Sequence, residues 1–240
     1  MKRVKTYIPG LDEMLKGGLI QGRNILLSGP CGSGKSTLAM QFLYNGVMKN
    51  GEPGLYVTLE EQKEKIYQDM ALFGMDLKKA ELTKQFHLIG GPAATVKTYM
   101  DKVDANMTHI IREVEEVVKK NKIKRVVIDS INLMTMLLKT DDERRRALAS
   151  LANSLSNLGC TSMLLSETKE NSMDLSRYGI EEFIVDGVIV LYLMRQGSIF
   201  VPGIIVRKMR GSDHDKEIRV YKITSKGIEV YPTETSFADV

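Results

Sequence analysis

The stretch Gly29-Pro30-Cys31-Gly32-Ser33-Gly34-Lys35-Ser36-Thr37 decides the fold of this chain. It matches the pattern G-x-x-x-x-G-K-[ST] of a phosphate-binding P-loop. The apolar run Asn24–Ser28 before it predicts a strand, and Leu38, Phe42 and Leu43 after it share one face of a predicted helix. In this context the loop amides and the helix N-terminus together bind phosphate. The sequence therefore predicts a site for a nucleoside triphosphate.

Each part of this loop has an expected task. Glycines let successive backbone N–H groups turn toward a phosphate without Cβ clashes. Lys35 is expected to reach the β- and γ-phosphates, and the Ser36 hydroxyl is expected to ligate Mg²⁺. The alternative, a glycine turn that carries Lys-Ser by chance, is disfavoured by the flanking strand and helix. The candidate nucleotide-binding residues of the loop are Gly29, Cys31, Gly32, Ser33, Gly34, Lys35, Ser36 and Thr37.

The bulk composition indicates an ordinary globular α/β protein. The 240 residues are 43% hydrophobic and 27% charged, and they contain no linker, low-complexity tract or repeat, so we expect one domain over residues 1–240. The net charge of +4 is scattered along the chain and does not indicate nucleic-acid binding. Cys31 and Cys160 form neither a disulfide framework nor a metal site, which suits a reducing compartment.

The sequence carries no sign of a membrane segment or a secretory leader. The N-terminus is positively charged but lacks the apolar segment of a signal peptide. No apolar run approaches the roughly 20 residues that cross a bilayer. We therefore expect a cytoplasmic protein that does not bind membranes.

Two adjacent carboxylates follow the second predicted strand. The run Gly54–Leu59 ends directly in Glu60 and Glu61, and ligands of open α/β sheets bind at this edge. One of the two could orient and deprotonate a water for attack on the γ-phosphate. Alternatively, both could simply open the helix that follows, where negative charge is favourable. The position of these residues favours neither interpretation.

A further strand of the Walker B type lies downstream. Lys124–Ser130 is an apolar run that ends in Asp129. An aspartate at such a strand tip, beside a P-loop, can hold the Mg²⁺ shell through water. An apolar run followed by Asp is a weak signal alone, but it is a strong one after an upstream P-loop.

The second half of the chain predicts one more helix and then strands joined by turns. Thr140–Glu143 predicts a capping box. The following Arg144–Arg146 are expected to face solvent, with contact to a neighbouring subunit as the alternative. The polar stretch 168–182 predicts a surface loop, and strand-like runs begin at Val185. Parallel αβ units followed by antiparallel hairpins predict an α/β fold with a mixed, mostly parallel sheet flanked by helices.

Together these residues resemble the KaiC-type branch of the RecA-like P-loop ATPases, a family with many single-domain archaeal members. The resemblance covers nearly the whole chain and implies a RecA-like fold. Its most specific parts are Gln41–Gly46 and Lys208–Ser212, whereas the P-loop and the Walker B strand belong to a wider class. The other motifs that appear in the family's order are Gly10-Leu11-Asp12, Gly17-Gly18-Leu19, Glu60-Glu61 and Val127–Ser130.

The resemblance also implies roles for individual residues. Glu60 matches the catalytic glutamate and Glu61 its companion. Lys208, Arg210 and His214 match a set that acts in trans on the phosphates of ATP bound to the neighbouring subunit. Charges from a second chain would neutralise the developing transition state, as arginine fingers do. Without the resemblance, two exposed strand charges would be the favoured interpretation of Lys208 and Arg210.

Further positions and the assembly follow from the same resemblance. Ser212, Thr224 and Ser225 match positions near the ribose and the base. Family members form hexameric rings with ATP at each interface, so a homohexamer that binds ATP and Mg²⁺ is implied. The family also contains a two-domain circadian-clock ATPase. Glu181 and Glu182 stand where the second domain of that protein carries a phosphorylated Ser-Thr pair, so we expect no autokinase activity.

Two other functions stay open at this point. A recombinase or helicase motor that acts on DNA would need a helical DNA-binding module or basic loops with stacking aromatics. The 168–182 loop has Lys169, Arg177 and Tyr178, but acidic residues accompany them. An ATP-dependent assembly switch without hydrolysis is the second alternative. A protein partner beyond the chain's own copies is conceivable, and the sequence does not identify one.

Overall fold

The computed structural model describes residues 1–90, 103–136, 138–170, 172 and 174–235, so Asn171 and Met173 of the predicted surface loop lie outside the described residues. The strands, in chain order, are β1 Arg3–Val4, β2 Leu19–Ile20, β3 Asn24–Gly29, β4 Gly54–Thr58, β5 Phe86–Gly90, β6 Arg125–Asp129, β7 Thr161–Glu167, β8 Gly187–Gln196, β9 Ile199–Met209, β10 Arg219–Thr224 and β11 Gly227–Thr235. The helices are α1 Leu11–Met14, α2 Lys35–Asn50, α3 Lys63–Ala71, α4 Leu77–Leu82, α5 Val103–Asn121, α6 Ile131–Met136, α7 Asp141–Asn157 and α8 Glu181–Ile184.

One large sheet organises the described residues. Its nine strands run in the order β11-β10-β9-β8-β3-β7-β6-β4-β5, and β1 pairs with β2 separately. From β8 to β5 every pair is parallel, whereas β8, β9, β10 and β11 pair antiparallel in succession. The predicted mixed sheet, mostly parallel and with C-terminal antiparallel hairpins, is confirmed.

The sheet is covered by apolar side chains on both faces. Successive residues of a strand point to opposite faces, so Ile25 and Leu27 join one core cluster and Leu26 joins the other. The first cluster includes Leu38 and Phe42 of α2, and both side chains are fully buried. The second includes residues of α5 and α7. This burial explains why the central strands are nearly continuous apolar runs in the sequence.

The predicted start of α7 is confirmed in atomic detail. The Thr140 hydroxyl accepts from the Glu143 amide at 3.2 Å, and the Glu143 carboxylate accepts from the Thr140 amide at 3.0 Å. This reciprocal pair is a capping box, which satisfies two backbone donors that the helix would otherwise leave free.

The arginines after this cap do not all face solvent. Arg145 and Arg146 are exposed, as predicted, but the prediction is wrong for Arg144. The Arg144 guanidinium donates to the Leu138 carbonyl at 2.7 Å and lies 4.4 Å from the centre of the Tyr178 ring. A charged side chain is drawn inward here because a carbonyl and an aromatic face together receive it. The contact fastens the 168–182 segment to α7.

The 168–182 segment exposes several residues, as predicted for a surface loop, but part of it is buried. Thr168, Ser176 and Glu181 in it are buried, and its last two residues begin α8. Its polar side chains make contacts inside the protein, which composition alone does not distinguish from contacts with water. Among the described residues no helix combines the length and apolar character that crossing a membrane requires.

Candidate functional site

Four strands bring polar residues to one edge of the sheet. Gly29 at the end of β3 is in register with Glu167 at the end of β7, and Thr58 of β4 is in register with Asp129 of β6. Glu60 follows β4 by two residues. Because these strands are parallel, their carboxyl ends share one edge, which is where open α/β sheets bind ligands.

The P-loop turns at two glycines and is supported from behind. Gly32 and Gly34 have φ angles of 76° and 84°, in the left-handed region that favours glycine. The Tyr221 hydroxyl donates to the Ser33 carbonyl at 2.5 Å. A Cβ atom on Gly34 would lie 3.0 Å from the Ile223 side chain. The β10–β11 hairpin therefore packs directly against the loop.

Lys35 lies inside the loop rather than in solvent. Its Nζ atom donates to the carbonyls of Gly29 at 3.0 Å and Pro30 at 2.9 Å, and the residue is buried. Burial lowers the pKa of the Lys35 ammonium, whereas the charges of Glu167 and Asp129 oppose that shift. An ammonium group held by carbonyl oxygens in a glycine loop suits the binding of phosphate oxygens in the same place.

A buried phenol joins the two candidate Mg²⁺ ligands. The Tyr56 hydroxyl donates to the Asp129 Oδ2 atom at 2.5 Å, and it also shares a hydrogen bond with the Ser36 side chain. Burial and the neighbouring Asp129 carboxylate raise the pKa of Tyr56, so the phenol remains a donor. The side chains of Ser36 and Asp129 therefore lie close together. Both offer oxygen ligands, which Mg²⁺ prefers.

The two glutamates after β4 are fixed by their neighbours. The amides of Glu60 and Glu61 both donate to the Thr58 hydroxyl at 3.3 Å, and the Ser130 hydroxyl donates to the Glu60 carboxylate at 3.0 Å. Helix α3 begins only at Lys63, so neither glutamate lies in its first turn. The alternative in which both merely open the helix therefore loses its structural basis.

The electrostatic surroundings of Glu60 suit a general base. Glu60 is exposed as a whole residue, but its carboxyl group is partly buried. This partial burial raises the pKa of the carboxyl group above the ordinary 4.5. The hydrogen bond from Ser130 opposes this shift, and the charges of Asp129 and Glu167 add to it. A carboxylate with a raised pKa accepts a proton more readily, which is the property that general-base catalysis requires.

A cleft of about 360 Å³ continues from this corner between α2 and α3. The turn between β10 and β11 lies beside it, because the Ser225 carbonyl is 3.9 Å from where a Cβ atom on Gly74 would lie. Ile223, directly before Thr224, packs against Gly34 at the start of α2, so Thr224 and Ser225 lie near the P-loop. The polar and aromatic residues that line the cleft are Ser36, Thr37, Tyr56, Glu61, Asp69 and Phe73.

The remaining candidate residues lie toward the other end of the sheet. Lys208 pairs with Val188, which is in register with Leu26, three residues before Gly29. At about 3.3 Å per residue, Lys208 is about 10 Å short of the P-loop edge along the strands, and Arg210 is further away still. β9 is also separated from β3 by β8. Ser212 and His214 follow Arg210 at the same end.

Specific contacts hold this second group in place. Lys208 Nζ donates to the carbonyls of Glu182 at 2.7 Å and Val185 at 2.6 Å. Burial, together with the positive charge of Arg210, lowers the pKa of Lys208. Arg210 is exposed, and its Nη2 donates weakly to the Phe183 carbonyl at 3.4 Å. Lys208 and Arg210 thus both contact the backbone carbonyls of residues 182–185.

Ser212 is held differently from the other two residues predicted to lie near the ribose and base. Its hydroxyl accepts from Arg3 Nη2 at 2.6 Å and donates to the Asp213 carbonyl at 2.6 Å. The structure therefore does not bring Ser212 together with Thr224 and Ser225. His214, two residues after Ser212 in the chain, is half-buried.

Sequence reasoning missed three residues of the site: Tyr56, Ser130 and Glu167. Glu167 ends a predicted strand, so the edge argument used for Glu60 and Asp129 would have found it. Its amide donates to the Asn132 Oδ1 atom at 2.7 Å. No local pattern marks Tyr56 or Ser130, because their partners come from other strands.

The chain was compared with known proteins. A family model described as "ATPase: KaiC" matches residues 4–235. A UPF0273 protein of Thermotoga maritima is 36% identical over 240 residues, covering 98% of each chain. The circadian clock oscillator protein KaiC of Synechococcus elongatus is 32% identical over 231 residues, which are 96% of this chain and 44% of that protein.

A solved structure agrees with this relationship. The crystal structure of a KaiC-like protein from the hyperthermophilic archaeon Pyrococcus horikoshii OT3 superimposes with a TM-score of 0.84 and 38% sequence identity. The match covers 96% of this chain and 99% of the other. The likeness therefore extends over nearly the whole chain.

Proposed function

The chain belongs to the KaiC family of ATPases, and on this premise we propose that it hydrolyses ATP slowly with Mg²⁺. It does so as a single domain over residues 1–240, in a ring-shaped homo-oligomer that is a homohexamer. Each nucleotide-binding site lies at a subunit interface and is completed by residues of the neighbouring copy. The output of this turnover is regulatory or signalling.

The residues at the carboxyl edge divide the work of hydrolysis. Lys35 and the amides of the loop bind the phosphates, and Ser36 and Asp129 hold Mg²⁺, which when bound neutralises charge on the β- and γ-phosphates. Glu60 orients the attacking water and accepts its proton, and Glu61 is its companion. Glu60 is supported in this role by its raised pKa and by the fixed Ser130 hydrogen bond.

One observation carries the proposal of a shared site. Lys208 and Arg210 lie toward the amino ends of the parallel strands, whereas the P-loop of their own chain lies at the carboxyl ends. Along the strands the P-loop edge is about 10 Å from Lys208 and further from Arg210, and β9 lies two strand spacings of about 4.8 Å each from β3. These cations therefore cannot reach the phosphates bound by their own chain, but they can act on a neighbour's.

The charge distribution supports the same assembly. The P-loop edge is acidic apart from Lys35, because it carries Glu60, Asp129 and Glu167. The opposite side of the chain presents the exposed Arg210. When two different surfaces of one chain complement each other, copies associate head to tail and close into a ring if the rotation permits. Mg·ATP adds further negative charge to the acidic side and so strengthens the attraction for the partner's cations.

The alternatives find less support in the structure. A DNA motor would use aromatic side chains that stack on bases, but the Tyr178 ring is covered by the Arg144 guanidinium. Glu181, one of the two residues that match a phosphorylated pair, is buried and carries no hydroxyl. An assembly switch without hydrolysis would leave the base-like environment of Glu60 without a purpose.

The test is hydrolysis measured together with assembly. Specific ATPase activity should rise with protein concentration at saturating Mg·ATP, in parallel with the molar mass found by light scattering. Flat activity over a range in which the mass changes would overturn the shared site. Binding of ATP without any turnover would select the assembly switch instead.

A further inference from the structure

Glu181 is a buried carboxylate that the reaction described so far does not use. Only 2% of the residue is exposed. Its oxygens accept from the amides of Tyr178 at 3.3 Å and Ile180 at 3.2 Å, and from the Ser166 hydroxyl at 3.4 Å. A buried carboxylate is tolerated only when such donors compensate for lost hydration. The side chain thus pins the start of α8 to the end of β7.

The residues immediately after Glu181 hold the two finger cations, Lys208 and Arg210. The carbonyl of Glu182 accepts from Lys208 Nζ, and the carbonyl of Phe183 accepts from Arg210 Nη2. The amide of Arg210 donates to the Asp186 carbonyl at 2.9 Å. The Lys208 side chain is therefore held by the short backbone segment that begins at Glu181. The exposed Arg210 side chain contacts the same segment weakly and lies 3.9 Å from the Asp186 carboxylate.

The other end of this connection reaches the chain's own nucleotide edge. Ser166, which donates to Glu181, directly precedes Glu167 and is in register with Ser28 of β3. Glu181 therefore lies between the strand ends that form one ATP site and the cations that serve the next site. Two hydrogen bonds, from Ser166 to Glu181 and from Lys208 to the Glu182 carbonyl, lie between these strand ends and the cations.

We propose that Glu181 is a positioning residue for Lys208 and Arg210, so that it acts on the reaction in the neighbouring subunit's site rather than in its own. This inference rests on the proposed function, because it requires a site shared between subunits. The segment that Glu181 holds keeps the two cations at the distance and angle that the neighbour's γ-phosphate needs.

The expected size of the effect follows from the sensitivity of transfer reactions to geometry. A shift of about 1 Å in a catalytic group costs on the order of a hundredfold in rate. In Glu181→Gln the charge is lost and an NH2 group replaces the oxygen that accepts from the Ser166 hydroxyl or one that accepts from the amides of Tyr178 and Ile180, so the 178–183 segment is held less firmly. We expect kcat to fall roughly tenfold to a hundredfold, with little change in KM for ATP.

A mixing experiment locates the effect in one subunit. Lys35→Ala chains keep the finger but lose their own site, and Arg210→Ala chains keep the site but lose the finger. Each is expected to be inactive alone, and the mixture should regain activity at interfaces where an Arg210→Ala site faces a Lys35→Ala finger. Glu181→Gln is then placed in either partner, and Asp174→Asn, which neutralises an exposed carboxylate of the same segment, serves as the matched control.

The position of the substitution decides the outcome. Loss of activity only when Glu181→Gln is in the Lys35→Ala finger donor supports the proposal. Equal loss from either placement, or no loss from the donor, overturns it. A mixture with native Glu181 that regains no activity would instead overturn the proposed shared site. Should Glu181→Gln fail to fold by circular dichroism, Glu181→Asp, which keeps the charge and shortens the side chain by one methylene, takes its place with the same criterion.

Discussion

Lys35 and Lys208 are held in the same way at two separate places in one sheet: the ammonium group of each donates to two backbone carbonyls. Lys35 uses the carbonyls of Gly29 and Pro30 at the P-loop, and Lys208 uses those of Glu182 and Val185. Both have a lowered pKa, and burial is the main cause in each case. We propose that the first serves the nucleotide of its own chain and that the second serves its neighbour's.

Replacement of the exposed finger should abolish turnover. We expect Arg210→Ala to lower kcat by about a thousandfold or more, the range known for arginine fingers, because transition-state charge is left unneutralised. Nucleotide affinity, measured by titration with a fluorescent ATP analogue, should change little. Arg145→Ala removes an exposed arginine from α7 and is the matched control. Full activity of Arg210→Ala would mean that each chain works alone.

Removal of the proposed base should separate binding from chemistry. We expect Glu60→Gln to lower kcat by about a hundredfold to ten-thousandfold, because the neutral amide cannot accept the proton of the attacking water. Isothermal titration should still detect Mg·ATP binding. Glu61→Gln preserves the Glu60–Ser130 hydrogen bond and should cost less. A larger loss in Glu61→Gln than in Glu60→Gln would exchange the two roles.

The pH profile should carry the signature of the acidic cluster. Only ionised Glu60 acts as a base, so kcat/KM should fall as the pH drops through its pKa, which is raised above 4.5. Because Glu167 contributes to that rise, Glu167→Gln should lower the pKa and move the acid limb toward lower pH. Rate measurements in a constant-ionic-strength buffer series would test this. An acid limb that stays in place, or moves upward, contradicts the coupling.

The buried ion pair beneath α2 should matter for stability. Arg125 is fully buried, and its Nε atom donates to the Glu52 carboxylate at 2.6 Å. We expect Glu52→Ala to reduce the free energy of unfolding by about 3 kcal/mol, because it leaves a buried charge without a counter-ion. The same substitution in an Arg125→Met background should cost much less. Glu217→Ala, which removes an exposed partner of Arg219, should cost about 0.5 kcal/mol or less, as chemical denaturation would measure.

The exposed aromatic beside the finger should belong to the ring interface. Phe183 is 66% exposed, and its carbonyl is in contact with Arg210. An assembly that delivers Arg210 to a neighbour must also cover Phe183. We therefore expect Phe183→Asp to shift the molar mass found by light scattering toward the monomer. Leu82→Asp, which changes an even more exposed apolar side chain on α4, is the control. An unchanged mass for Phe183→Asp would place the interface elsewhere.

Local patterns in the sequence predict much of the fold and of the P-loop edge. The glycine loop, the capping box at Thr140 and the strand that ends in Asp129 depend on neighbours within a few residues, so their chemistry is legible from the chain alone. The same holds for Glu60, which follows an apolar strand. Glu167 obeys the same rule, because it ends the apolar strand β7.

Long-range contacts account for the residues that the sequence did not reveal. Gln41 holds both backbone groups of Ile228, and Gly46 has no side chain because Arg125 passes 2.3 Å from where its Cβ atom would lie. The specificity of the Gln41–Gly46 motif is thus a requirement of packing between α2 and distant strands. Arg144 likewise turns inward to Tyr178 for reasons that its own helix does not contain.

The sequence by itself predicted which residues bind phosphate and Mg²⁺, because that chemistry needs particular side chains at short, fixed spacing. Only the tertiary structure decided that Lys208 and Arg210 lie away from the P-loop of their own chain, and that Glu181 holds the segment beneath them. Strand order and register set those separations, and both arise from pairing between segments far apart in the chain, where the identity of each residue carries no record of its distance from the others.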